Sequence, residues 1–185
     1  MRIVAGKYRG RHFDVPHTFK ARPTTDFAKE NLFNVLQAYF PPTDEDGAPF
    51  GNALDLFAGT GSITLELLSR GCKTVTAVEL DAQHVRLIRS FVNVLGEDAR
   101  AHVLRADVLR FIARPRDSFD FIFADPPYAL PQLPQLPDAI LSVPGLLAPD
   151  GLFVLEHGAD NDFSTHSALV DHRAYGSVNF SFFKA

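Results

Sequence analysis

The stretch FDFIFADPPYAL, residues 119–130, runs from apolar residues into an acid, two prolines and an aromatic, Asp125-Pro126-Pro127-Tyr128. The Asp125 side chain and the Pro126 carbonyl are two acceptors at what reads as the tip of a buried strand. An exocyclic amino nitrogen on a nucleic-acid base is a poor nucleophile, because its lone pair is delocalised into the ring. Acceptors aimed at its N–H groups localise that lone pair, and two prolines that fix φ and remove backbone donors hold the aim. Tyr128 offers a ring on which an extruded base could stack, worth about 1–3 kcal/mol, against the few kcal/mol that unstacking requires. The plainer reading of these four residues alone is a strand end with a proline turn.

A second stretch, LDLFAGTGSI at 54–63, reads as strand, tight glycine turn and helix. Gly59 and Gly61 let the backbone turn sharply and approach a ligand closely. The pattern is near the dinucleotide fingerprint, but its third position is Thr64. Glu79 falls at the end of the next strand, about 20 residues on, where a carboxylate can accept from ribose hydroxyls. NAD and S-adenosylmethionine both carry that ribose. A pyrophosphate wants a helix N-terminus free of nearby anions, whereas a sulfonium and an ammonium welcome Asp55, so Asp55 tilts the reading to S-adenosylmethionine. Asp107, ending a third strand in RADVLRF, could accept from an adenine amino group, cap a helix at 108–113, or do both.

These residues need a frame. Residues 2–15 read as two strand-like pieces forming a hairpin. Pro23 with Thr24 or Thr25 as N-cap starts a helix at about 26–40, whose apolar face is Leu32, Val35, Leu36, Tyr39 and Phe40. Residues 41–52, rich in proline and acid, form a loop and the expected seam between a 1–40 extension and a 53–185 core. Strands are expected at Ala53–Phe57, Thr74–Leu80, Ala101–Arg105, Phe119–Ala124 and Leu152–Glu156. Helices are expected at Ser62–Arg70, Ala82–Leu95 and Val108–Ala113, with another around 137–142. Ala168–Tyr175 and Ser177–Phe183 read as a hairpin around Gly176. The alternation means an α/β fold, a mostly parallel sheet covered on both faces, with an antiparallel strand from the closing hairpin.

Composition sets the outer limits. The 185 residues are 46% hydrophobic and 22% charged, ordinary for one folded core. No apolar run reaches the length of a membrane span, and MRIVAGKYRGR lacks the apolar stretch of a secretory signal. One cysteine, Cys72, precludes an internal disulfide and fits a reducing cytoplasm. Its place at the start of a strand predicts a buried, inert thiol. The seven histidines and one cysteine show no metal-ligand spacing, so no metal is expected. Net charge is −4, yet residues 1–22 carry Arg2, Lys7, Arg9, Arg11, Lys20 and Arg22 against Asp14 alone. A basic arm on an acidic body suggests either a phosphate-binding surface or a merely solvated terminus. His157, beside Glu156, is expected to be structural.

Four stretches together carry a family resemblance: VAGKYRGR (4–11), RPTTDFAKENLFN (22–34), LDLFAGTGSITLELLSRG (54–71) with VELD (78–81), and FADPPY (123–128). The chain resembles the RsmD-type family of 16S ribosomal RNA guanine-N2 methyltransferases, within the class I S-adenosylmethionine-dependent methyltransferases. The resemblance implies a Rossmann-like seven-stranded sheet with a reversed last strand. It maps cofactor contacts onto Asp55, Phe57, Ala58, Gly59, Thr60, Gly61, Glu79 with Leu80, and Asp107 with Val108. It maps catalysis onto Asp125, Pro126, Pro127 and Tyr128. It implies phosphate contacts from Lys7, Arg9, Arg11 and Arg22, orienting the rRNA without reading sequence. Tyr8 is then a candidate stacking ring, and Arg22 and Thr25 alternatively line the catalytic mouth. The implied partner is 16S rRNA in the assembled or assembling small subunit, met by a cytoplasmic monomer. A DNA amino-methyltransferase or a protein glutamine methyltransferase would share the glycine turn and DPPY, and a non-catalytic RNA-binding module is the reading from another class.

Overall fold

Apolar strand runs alternating with helices build one seven-stranded sheet in the computed structural model, which describes residues 1–16, 19, 25–40 and 50–184. Lys20, Arg22, Pro23, Thr24 and most of the 41–52 loop lie outside the described residues. The strands are β1 (Asn52–Leu56), β2 (Thr74–Glu79), β3 (Ala101–Arg105), β4 (Phe119–Ala124), β5 (Leu147–His157), β6 (Leu169–Tyr175) and β7 (Val178–Phe183). The helices are α1 (Asp26–Tyr39), α2 (Ser62–Ser69), α3 (Ala82–Leu95), α4 (Val108–Ile112) and α5 (Leu136–Leu141), the last preceded by a 3-10 turn at Leu133–Gln135. The sheet order is β3-β2-β1-β4-β5-β7-β6. Strands β1 to β5 pair in parallel, and β7 pairs antiparallel with both β5 and β6. The closing hairpin therefore inserts its second strand against β5 and leaves β6 at the edge.

The order reverses between β1 and β4, because the chain goes from β1 outward to β2 and β3 and then returns. That is where an open parallel sheet leaves a crevice beyond its carboxyl ends. One apolar cluster joins α1 (Leu32, Phe33, Leu36) and α2 (Leu65, Leu68) to Phe121 and Phe180 on one face of the sheet. A second joins Leu54, Ile122 and Phe153 to Leu136 and Ile140 on the other. Asp81 caps α3 by accepting from the amides of Gln83 and His84, and Gly96 closes it at φ 69°.

Two expectations are refined. Residues 2–15 pair back on themselves as a hairpin, through the Arg2–His12 antiparallel bridge and the amides of Ile3 and Gly10, but too briefly to count as two strands. Their order comes also from α2. The amides of Val4 and Ala5 donate to the Glu66 carboxylate at 2.8 and 3.0 Å. The Lys7 amide donates to the Ser69 carbonyl and the Tyr8 amide to the Ser69 hydroxyl. Gly6 has φ +81°, and a Cβ there would stand 2.0 Å from the Ser69 carbonyl oxygen, so only glycine lets the segment lie this close. Strand β5 begins at Leu147 rather than at Leu152, pairing with β4 through a register shift between Phe119 and Phe121. Asp150 takes φ 64° inside it, a local kink beside that shift.

Candidate active site at the β1, β4 and β5 tips

Strand β1 delivers the glycine turn into the crevice. Phe57 and Gly59 have φ 59° and 54°, and Gly61 at φ 84° caps α2. A Cβ on Gly61 would meet Ile88 of α3 at 2.9 Å. The Ala58 amide donates to the Val78 carbonyl at 3.1 Å and the Gly61 amide to the Ala58 carbonyl at 2.8 Å. The turn is thus stitched to β2, and Glu79 tightens the stitch. Its Oε2 accepts from the Gly59 amide and its Oε1 from the Asp81 amide, both at 2.8 Å. Each oxygen keeps a further lone pair for a ribose hydroxyl. Leu80, next in chain, is a large exposed apolar side chain on this rim, while Thr60 and Val108 are buried. Asp107 caps α4, accepting from the Arg110 amide at 2.9 Å, so the helix-cap role is present whatever else it does.

Asp55 sits at 1% exposure beneath the turn and accepts from the Thr64 hydroxyl. Thr64, which departs from the fingerprint glycine, therefore holds this carboxylate. Burial pushes Asp55 up to about 7 despite that bond, and the neighbouring carboxylates of Asp125 and Glu79 push the same way. The Asp125 amide donates to the Leu56 carbonyl at 3.3 Å, which locks the DPPY segment to the tip of β1. Burial holds the Asp125 carboxyl above the usual carboxylate range. Glu156 is raised by burial and by Asp125. Buried Asp55 and Glu156 and half-buried Asp125, with no cationic partner among the described residues, favour a positively charged ligand. With the glycine cradle and the Glu79 acceptors, that donor set fits S-adenosylmethionine.

Pro126 is buried and Pro127 exposed. The Tyr128 hydroxyl donates to Glu156 Oε1 at 3.4 Å, and its ring lies over Gly158. Burial raises the Tyr128 phenol further above its ordinary value. His157 is structural: its two ring nitrogens bond the Gly158 carbonyl and the Ser181 hydroxyl, each at 2.8 Å. Cys72 is buried, with its thiol pushed up to about 12 by burial.

The basic arm divides. Arg9 and Arg11 are exposed and form no ion pair among the described residues. Lys7 is also exposed but lies 3.4 Å from Glu97. Tyr8 is half-buried: its hydroxyl donates to Glu97 and lies 3.0 Å from the Leu95 carbonyl, and its ring packs against the core, which latches the arm. Thr25 is the N-cap of α1, accepting from the Ala28 amide at 3.2 Å. Two further acids acquire partners or neighbours in the structure. Glu66, in the wholly buried α2, also pairs with Arg70 at 2.8 Å and Lys29 at 3.6 Å. Glu156 stands beside Asp125. The signal for Glu66 is present in sequence as an acid inside the apolar run SITLELLS, which must find partners if buried.

A family model described as Conserved hypothetical protein 95 matches residues 1–184. The chain belongs to this family. Ribosomal RNA small subunit methyltransferase D of Haemophilus influenzae is 31% identical over 189 residues, covering all of this chain and 93% of the relative. The protein of the same name in Escherichia coli is 33% identical over 166 residues, 89% of this chain and 78% of the relative. Among solved structures, a Thermus thermophilus hypothetical protein superposes with a TM-score of 0.83 at 31% identity, covering 100% of this chain and 99% of that one. The Thermus thermophilus 16S rRNA N2 methyltransferase, solved with AdoMet and guanosine, shares the fold at a TM-score of 0.66 and 22% identity, over 89% of this chain and 44% of that one.

Proposed function

We propose that the chain methylates the N2 amino group of a guanine in 16S rRNA of the small ribosomal subunit. The observation that carries this reading is the junction of the Asp125-Pro126-Pro127-Tyr128 tip with the glycine turn, joined by the Asp125 amide on the Leu56 carbonyl. Membership of a family whose curated relatives are named rRNA methyltransferases supports it. Asp55, Phe57 to Gly61, Glu79, Leu80, Asp107 and Val108 would hold S-adenosylmethionine. When bound, it supplies an electrophilic methyl on a sulfonium and leaves as S-adenosylhomocysteine.

The residues of the chain do the rest. The Asp125 carboxylate and the Pro126 carbonyl accept from the guanine amino group and turn its lone pair toward the donor. With S-adenosylmethionine bound, its sulfur would keep the bonding pair as the methyl is given up, while the Asp125 carboxylate and the Pro126 carbonyl hold the amino group whose surplus proton passes to water. Holding the two reactants in line supplies much of the rate. Arg9 and Arg11, with Lys7, orient the rRNA through phosphates. Residues 1–40 present the RNA and 53–185 carry the chemistry, packed as one unit. We take the substrate to be the assembled or assembling subunit and the enzyme to be a cytoplasmic monomer; no helix among the described residues is long and apolar enough to cross a membrane. Labelled S-adenosylmethionine, incubated with small subunits from a strain lacking the modification, is expected to label 16S rRNA at a guanine amino group. Absence of label in any rRNA refutes the reading.

A further inference from the structure

The sheet register brings a second carboxylate to the catalytic tip. Ala124 of β4 pairs with Leu155 of β5, so the next residues, Asp125 just past the end of β4 and Glu156 still inside β5 opposite Phe180 of β7, lie side by side. Glu156 is 5% exposed. Its Oε2 is buried with no hydrogen-bond partner among the described residues, and no cation there pairs with it. Its Oε1 has only the long bond from the Tyr128 hydroxyl, 3.4 Å. A buried acceptor left without a donor is costly and rare in native structures. A donor arriving with a ligand accounts for it.

The chemistry of that donor follows from its neighbour. If Asp125 and Pro126 hold the guanine amino group, the adjoining atom on the same edge of the base is the ring N1–H. Guanine presents two donors side by side there. Adenine and cytosine present one donor beside one acceptor, and an ionised carboxylate can only accept. We propose that Glu156 is a substrate-binding residue that accepts the ring N1–H of the target guanine, beside the amino group held at Asp125, once Tyr128 has swung off it. The proposal rests on the guanine-N2 reading above and adds the reason that site takes guanine.

Tyr128 is placed to act as the cover. Its ring lies over Gly158, where a Cβ would stand 3.1 Å from Tyr128 Cδ2. Its only side-chain hydrogen bond among the described residues is the one to Glu156. Moving the ring gives up little polar contact, uncovers the carboxylate and frees the ring to stack on the incoming base. Burial and the Asp125 charge make Glu156 a reluctant anion while covered, and a hydrogen bond from the base favours the ionised form.

The test compares the wild type with Glu156→Gln, which keeps the shape but turns one acceptor into a donor. Methyl transfer to unmodified small subunits is measured beside S-adenosylmethionine calorimetry and thermal melting. The expected result is a kcat/KM at least about tenfold lower, with cofactor Kd within about twofold and a melting temperature no lower than that of the wild type. An unchanged kcat/KM overturns the proposal, and so does a loss of cofactor binding that matches the loss of activity. Should the variant fold poorly, wild-type enzyme is given subunits reconstituted with 1-methylguanine at the target. At least a tenfold loss is expected, and a smaller penalty for the same substrate with Glu156→Ala, which opens room for the methyl. An undiminished rate on 1-methylguanine overturns the proposal. A wild type that labels no rRNA is a different failure, that of the proposed function itself.

Discussion

Replacing Glu66 with glutamine should loosen the N-terminal segment from the rest of the molecule. One buried carboxylate accepts from the amides of Val4 and Ala5 and from Arg70 Nε, with Lys29 Nζ 3.6 Å away. Lys29 is 1% exposed, and burial lowers its pKa while Glu66 opposes that fall. The substituted side-chain amide would have one oxygen where two are used, so whichever way it turns, its NH2 faces an N–H donor. Removing one partner of a buried ion pair costs about 3–5 kcal/mol. A lost hydrogen bond to a charged acceptor costs about 1.5–3 kcal/mol and overlaps with that figure. At roughly 2–4 °C per kcal/mol for a chain of this size, the melting temperature should fall by about 6–20 °C. Hydrogen exchange should accelerate at the amides of Val4, Ala5 and Lys7, which bond to α2, more than in β1 or β4. A melting temperature within about 2 °C of wild type, less than the shift 1 kcal/mol would bring, with those amides still protected, would refute the argument that Glu66 anchors the segment.

Asp125→Ala is expected to lower turnover by about a hundredfold or more, with little change in S-adenosylmethionine affinity by calorimetry; unchanged turnover removes the residue from the mechanism. Arg9→Ala and Arg11→Ala should each reduce the salt slope of rRNA binding by about 1 without altering the melting temperature, and an unaltered slope returns the arm to solvated surface. Asp55→Asn tests the buried acid through pH. Because the folded pKa, about 7, lies above the unfolded one, the unfolded chain ionises first as pH rises, and Asp55 costs stability progressively from about pH 4 to about pH 7. The variant should therefore gain on wild type in melting temperature between about pH 5 and about pH 8; a constant difference across that range refutes the assignment.

The sheet and its helices were largely legible because each depends on local pattern. Apolar runs mark β1 to β4, and Asp81 and Gly96 bracket α3 in sequence as they do in space. Asp107 as a helix cap and Thr25 as an N-cap were readable for the same reason. What the sequence hid depends on partners far along the chain. The Tyr8 hydroxyl bonds to Glu97, 89 residues away, which its basic neighbours do not announce. Residues 2–15 do fold back as a hairpin, but the amides of Val4, Ala5, Lys7 and Tyr8 bond to Glu66 and Ser69 of α2, 61 or 62 residues on. The start of β5 hides behind a proline and a glycine that accompany a register shift. Glu156 is visible as an acid ending an apolar strand, but its adjacency to Asp125 follows only from β4 and β5 being neighbours. The expected contacts of Arg22 fall outside the described residues.

Helix α2 begins at the glycine turn with Ser62 and ends at Ser69, where the arm is moored, a rod of about 12 Å. Ser62 also shares Lys29 with the Arg2 carbonyl. A chimera that borrowed residues 1–16 from a relative would therefore inherit a mismatch unless Lys29, Glu66 and Ser69 travelled with them. Swapping the arm to redirect such an enzyme toward another RNA is a transplant of a scattered set of residues, not of a contiguous cassette.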